Sequence, residues 1–317
     1  MRIVTSSTVA TGLAVLVTGA LPVLVAPAVA VGSAPAAGVS LGGPAAPAAP
    51  AAQGVPTLVG IRASHRAGRD RVVFEFAGRL PAQRSVTYVD RLIADGSGLP
   101  VPVAGRAILQ VRFSYANAHN EAGQPTAPDQ AAFAMPNVVQ VVRSGDFEAV
   151  TTYGIGLASR QPVRVTTMTN PSRVVVDVAA GFRTTPGRVW MLNSTNFAKG
   201  REPYFTPVQR PLLAASPAAG ALDRVFAGPT AAEKRAGLTN VLSKATGFSN
   251  LRIASGVAHV RLTGGCSSGG STATIAGQIV PTLKQFGSVR AVKIYDPSGR
   301  TERPTGRTDS IPECLEP

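Results

Sequence analysis

Apolar side chains recur at every second position through the first half of the chain, and this period admits only half-buried strands. In residues 70–76, Val72, Phe74 and Phe76 fall on one face, while Arg71, Val73 and Glu75 fall on the other. Similar runs occupy 85–89, 108–113, 138–143, 150–155, 163–168 and 173–178. Turn-forming clusters separate them: Asp95-Gly96-Ser97-Gly98, Glu121-Ala122-Gly123, Ser144-Gly145-Asp146 and Asn170-Pro171-Ser172. Seven or eight short strands punctuated in this way predict a β-sandwich over about 56–182.

After Pro186 the pattern changes. Residues 189–192 read as a strand and 204–210 as an extended segment. Residues 218–226 read as a helix stopped by Gly228-Pro229. Thr230-Ala231-Ala232-Glu233 has the form of a capping box. Residues 251–254 and 257–262 flank Ser255-Gly256, a two-residue hairpin turn. Ile275, Ile279, Leu283 and Phe286 mark an amphipathic helix, and 289–295 close with a strand. The order β-α-β-β-α-β predicts a small α+β domain over 187–317, with helices laid on a small sheet.

The first 55 residues belong to neither pattern. A basic start at Arg2, an apolar run over 12–25 and Ala28-Val29-Ala30 have the layout of a cleavable signal peptide over 1–30. An uncleaved anchor is the alternative, which Pro22 and Pro27 oppose. Residues 31–55 are mostly Ala, Pro and Gly, a composition that cannot offset its ordering entropy and reads as a linker. No later run reaches the ~18 apolar residues of a membrane helix, so no stable span is expected after signal cleavage. The mature chain is expected to be secreted and associated with the cell wall.

Arginine makes up 26 of the 31 basic residues, and the net charge is +14. The charge is spread out: 14 arginines meet 9 acids over 56–183, and 16 basic residues meet 8 acids over 187–317. Outside the membrane such a surface meets anionic wall polymers before nucleic acid. Basic residues do not interleave with aromatics here, which argues against nucleic acid as a partner. The two cysteines, Cys266 and Cys314, are even in number and expected in an oxidising compartment, which favours a disulfide; two free thiols, one nucleophilic, are the alternative.

Signs of chemistry are weak. The Gly264–Gly270 loop lacks phosphate-loop spacing. His65 and His119 sit in polar turns and read as solvated. His259 alternates with Ala258 and Val260 and is expected to face solvent, away from Cys266. No hydrolase motif, zinc spacing or telling pair of carboxylates occurs, so no catalytic, cofactor-binding or metal-binding residue is assigned.

Several ordered motifs carry a family resemblance. Gly60-Ile61-Arg62, residues 70–76, Tyr88-Val89-Asp90, Asp95-Gly96-Ser97-Gly98, residues 153–157 and residues 173–178 resemble the AMIN-like domain of actinobacterial envelope proteins. The resemblance implies a β-sandwich that associates with the envelope or peptidoglycan, and it implies binding rather than catalysis. Tyr204-Phe205, residues 208–212, Phe226-Ala227-Gly228-Pro229-Thr230 with Glu233, Gly256-Val257-Ala258 and Gln278-Ile279-Val280 resemble the GerMN domain. That resemblance implies an exported protein of sporulation, germination or envelope signalling with a protein partner. The sequence departs from the GerMN pattern at 264–270 and in the tail at 310–315, and a Cys266–Cys314 bridge explains both additions.

The expected function is therefore a non-catalytic envelope adaptor with two partners, peptidoglycan or an anionic wall polymer and an envelope protein. A wall-modifying enzyme with an unrecognised site is the alternative. The candidate polymer contacts are Arg62, Arg66, Arg69 and Arg71, since guanidinium forks match carboxylates and phosphates. A solvated turn, with Arg71 paired to Asp70 or Glu75, is the competing reading.

Overall fold

The computed structural model describes residues 54–317. The expected signal peptide and nearly all of the 31–55 linker lie outside the described residues. In chain order the first half contains β1 (Thr57–Arg66), β2 (Arg69–Ala77), β3 (Gln83–Val89), β4 (Leu92–Ile93), β5 (Pro100–Val101) and β6 (Ala107–Ser114). It continues with β7 (Gln130–Ala132), β8 (Val138–Phe147), β9 (Val150–Leu157), β10 (Val163–Thr169) and β11 (Ser172–Ala179). A four-stranded sheet of order β1-β2-β11-β10 faces a five-stranded sheet of order β3-β6-β9-β8-β7. All pairings are antiparallel. The apolar face of β2 enters the space between them: Phe74 meets Phe113 edge-on at 5.2 Å and Tyr153 at 5.9 Å. Leu58, Val111, Ile155, Val174 and Val176 complete this core. The seven strands expected from the sequence are all present, and β1 and β7 extend the two sheets.

The second half contains β12 (Thr184–Asn193), α1 (Ser194–Ala198), β13 (Phe205–Leu213), α2 (Pro217–Ala227), α3 (Ala231–Arg235), β14 (Leu238–Thr239), β15 (Ala245–Ala254), β16 (Val257–Gly264), α4 (Ala276–Lys284) and β17 (Ala291–Tyr295). The expected β-α-β-β-α-β order is embedded in this list. Where the sequence suggests one sheet, the chain builds two, of orders β13-β12-β14 and β15-β16-β17. Helix α2 lies between them. Ala218, Leu222 and Phe226, four residues apart, join the core of the β15–β17 sheet. Ala221 and Val225 join Val189, Met191 and Leu212 of the other sheet. Ser255 and Gly256, both at positive φ, make the tight turn from β15 to β16.

Helix α4 performs a second task. β14 pairs with β12 only at Leu192 and Asn193, which leaves Arg188 and Trp190, paired with β13 on one side, without a strand on the other. Side chains of α4 and of the residue after it fill the gap. Gln278 donates to the Trp190 carbonyl at 2.9 Å, and the Trp190 N–H donates to the Thr282 hydroxyl at 3.2 Å. The Gln285 amide accepts from the Arg188 N–H and donates to the Arg188 carbonyl. Backbone groups on this side of β12 thus find partners without a further strand.

The tail after β17 folds back. The Ile294 N–H donates to the Ser310 carbonyl and the Ser310 N–H to the Val292 carbonyl, which pairs the open edge of β17. Cys266 and Cys314 form the expected disulfide, with Cα atoms 5.7 Å apart. Closing a loop across 48 residues is worth about 4 kcal/mol in the chain-entropy account.

The two halves have separate cores and belong to one compact unit. Ala104, Ala132, Val139 and Ala158 of the first pack with Ala227 of the second. Arg224 on α2 is 1% exposed. It donates to the carbonyls of Met135 at 2.8 Å and Pro136 at 3.2 Å, just before β8. Asp223 is 4% exposed and accepts from Arg106 of the first half at 3.3 Å.

Candidate functional site

Arginines from all four strands gather on the outer face of the β1-β2-β11-β10 sheet. The pleat of β2 sends Asp70, Val72, Phe74 and Phe76 inward and leaves Arg69, Arg71, Val73 and Glu75 outside. Residues directly opposite in adjacent strands share a face. The pairings Arg62–Val73, Arg66–Arg69, Glu75–Arg173, Asp177–Arg71 and Arg164–Asp177 therefore place Arg62, Arg66, Arg69, Arg71, Arg164 and Arg173 on one surface.

Two carboxylates serve these six cations. Glu75 accepts from Arg62 at 2.6 Å and Arg173 at 2.8 Å. Asp177 accepts both arms of the Arg71 fork, at 2.7 and 2.8 Å. The hydrogen bond from Arg173 is the main force that holds the Glu75 carboxyl below its usual range. That from Arg71 does the same for Asp177. Among the described residues, Arg66, Arg69 and Arg164 form no salt bridge. The result is an exposed face with a frame of paired charges and, among the described residues, three guanidiniums without a carboxylate partner.

The four sequence candidates thus lie together, flanking the Ala67-Gly68 turn. Two details differ from expectation. The acid that holds Arg71 is Asp177, 106 residues away, and neither Asp70 nor Glu75. Asp70 is buried: it accepts from His65 at 2.7 Å and from the backbone N–H groups of Asn137 and Val138. Arg164 and Arg173 were missed as members of the face. The alternation in 163–168 and 173–178 carries that signal, but only the pairing of β11 with β2 reveals it.

His65 is exposed, as its sequence context suggests, whereas His119 and His259 are half-buried. His65 bonds Asp70, and His119 bonds Asp146 at 2.8 Å. His259 is half-buried, with Nδ1 2.9 Å from the Tyr295 hydroxyl and the two rings stacked. Cys266 is bonded to Cys314, so no thiol is available to His259. The 264–270 loop carries the disulfide and precedes α4. The capping box forms: Thr230 N–H donates to Glu233, and Glu233 N–H to the Thr230 hydroxyl. Glu233 also receives both arms of the buried Arg210 fork, at 2.7 and 2.6 Å.

A β-sandwich with a charged outer sheet, joined to a small α+β unit whose two cysteines are bonded to each other, defines a protein of two parts. Comparison with known families gives the parts their identities. Residues 56–180 match the family described as AMIN-like domain, and residues 189–295 match the family described as sporulation and spore germination. The chain carries an AMIN-like domain followed by a Germane, or GerMN, domain. It matches no curated protein and no solved structure. The two family matches point to an envelope-associated role connected with sporulation and germination, and the AMIN-like domain to an extracytoplasmic location. Among the described residues, no helix is long and apolar enough to cross a membrane.

Proposed function

We propose that this protein is a secreted, non-catalytic adaptor of the cell envelope. Its AMIN-like domain holds peptidoglycan or an anionic wall polymer on the arginine face, and its GerMN domain engages an envelope protein. The observation that carries this reading is the excess of guanidiniums over carboxylates on one open sheet face. Arg66, Arg69 and Arg164 supply the free forks, while Glu75 and Asp177 keep Arg62, Arg71 and Arg173 in place.

The test is co-sedimentation of the purified protein with intact sacculi, with and without teichoic acids, across a salt series. Changing Arg66, Arg69 and Arg164 together to Gln leaves every described ion pair intact, so the fold should persist. The expected outcome is at least tenfold weaker sedimentation of the triple variant with an unchanged melting temperature. Equal sedimentation of variant and parent would remove the arginine face from the function. Binding that survives removal of teichoic acids would assign peptidoglycan as the ligand; binding lost with them would assign the anionic polymer.

A further inference from the structure

The GerMN domain contains a second cationic cluster, and it differs from the arginine face in having no acidic partner among the described residues. On the outer side of the β15-β16-β17 sheet, Arg252 stands directly across from His259, and His259 pairs in register with Lys293. Arg261 pairs in register with Tyr295. Asn250, Arg252, His259, Arg261 and Tyr295 line a cavity of about 290 Å³, and the buried Lys293 lies beneath it beside His259.

The three cations of the cluster have no carboxylate among the described residues. The guanidinium of Arg261 donates to the Pro297 carbonyl through Nε at 2.9 Å and through Nη2. The buried Lys293 ammonium donates to the carbonyls of Arg303 and of Thr308, the latter at 3.1 Å. Carbonyls orient these groups and leave their charge in place. The neighbouring acid, Asp296, is occupied by Arg300. Arg252 forms no side-chain hydrogen bond to any described residue and is exposed.

The His259–Tyr295 bond leaves a donor free whichever way it runs. If the Tyr295 hydroxyl donates to Nδ1, then Nε2 carries the ring hydrogen. If Nδ1 donates, the hydroxyl hydrogen is free. Burial, then Arg252 and Lys293, hold the imidazolium below its usual range, so the site is charged without a counter-ion. Facing His259 are Arg252 on β15, Arg261 on its own strand, and Lys293 and Tyr295 on β17.

We propose that this cavity is a binding site for the phosphate group of a small phosphate ester. A dianion answers the uncompensated charge, and a tetrahedral oxyanion accepts from the Arg252 fork and from the His259–Tyr295 pair on different sides. A carboxylate brings half the charge in one plane. The site lies in the second domain and does not depend on the arginine face for its ligand.

The experiment is NMR titration of the histidine ring signals in the purified protein, with inorganic phosphate, glycerol 3-phosphate and acetate at matched ionic strength. The chain has three histidines, and His259→Gln assigns the relevant signal. The expected result is a saturable response confined to His259 with both phosphates, and an upward shift of its titration midpoint. Affinity for acetate should be at least tenfold lower, and Arg252→Gln should weaken phosphate binding at least tenfold. His65 and His119, each tied to a carboxylate, serve as internal controls. Competition from phosphatidic acid vesicles, whose headgroup is a phosphate monoester, would support a lipid headgroup as the source, and lack of competition would support a soluble ester. A linear response, equal binding of acetate, or an Arg252→Gln variant that binds like the parent would overturn the proposal. The Arg66, Arg69 and Arg164 triple variant should bind phosphate here normally, so this site and the arginine face fail independently.

Discussion

Asp223 and Arg224 are adjacent on α2, and burial drives their ionisation in opposite directions. It pushes the Asp223 carboxyl up to about 6 against the pull of Arg106 and Arg224. It brings the Arg224 guanidinium down to about 10. The unfolded Asp223 titrates near 4, so between about pH 4 and pH 6 the folded state binds more protons. Stability at this site is therefore greatest below pH 4, falls as pH rises to 6 and is constant above. The expected size of the fall is about 2–3 kcal/mol. Urea denaturation of the parent and of Asp223→Asn should show it: the difference in unfolding free energy grows between pH 4 and 6 and then stops. Parallel curves across that window would contradict the burial argument. Nothing in the sequence singles out this pair, because an Asp-Arg step within a helix ordinarily reads as solvent-facing. Its role appears only when α2 is seen to be enclosed by two sheets and by the first domain.

At the level of elements, sequence period was a good guide where one face of an element is apolar. The strands around Phe74, Phe113 and Ile155 follow from alternation, and α2 and α4 from helical spacing. β1 escaped: it offers solvent Arg62, Ser64 and Arg66 on one side and His65 on the other, so its outer half lacks an apolar face. β13, legible as an extended segment over 204–210, runs on to Leu213 through Pro207 and Pro211, which an edge strand tolerates. The capping box at Thr230 was legible, but its union with Arg210 was not. Glu233 joins the two: against the upward push of burial, Arg210 and the Thr230 N–H hold its carboxyl below the usual range. Replacing Glu233 with Ala strips a buried arginine of its partner and removes half the cap. The expected loss is about 3–5 kcal/mol, measured by urea unfolding, whereas Glu121→Ala in an exposed turn should change stability by less than about 0.5 kcal/mol.

For the molecule as a whole, the sequence suggested two separate domains meeting near residues 183–187. The two cores are indeed distinct, yet the surfaces between them are packed. Small side chains make that junction: Ala104, Ala132, Ala158 and Ala227 have no period to betray them. Arg224 then crosses it to reach two backbone carbonyls. With Arg224→Ala those carbonyls lose their donor and α2 loses its hold on the first domain, at an expected cost of about 3 kcal/mol. Calorimetry should show the parent melting as one unit and the variant in two steps, with the AMIN-like half retaining its own transition. A single transition at the parental temperature would mean that the alanine contacts alone suffice.

Residues 180–183 are all the chain between β11 and β12, and even these are fastened, Ala180 to Gly68 and Arg183 to Ala214. A pull applied to a polymer on the arginine sheet therefore loads β2 and β11 and passes through the α2 clasp into the GerMN half with no swivel to absorb it. Mechanically the described molecule is a strut: whatever grips one half also sets the heading of the other.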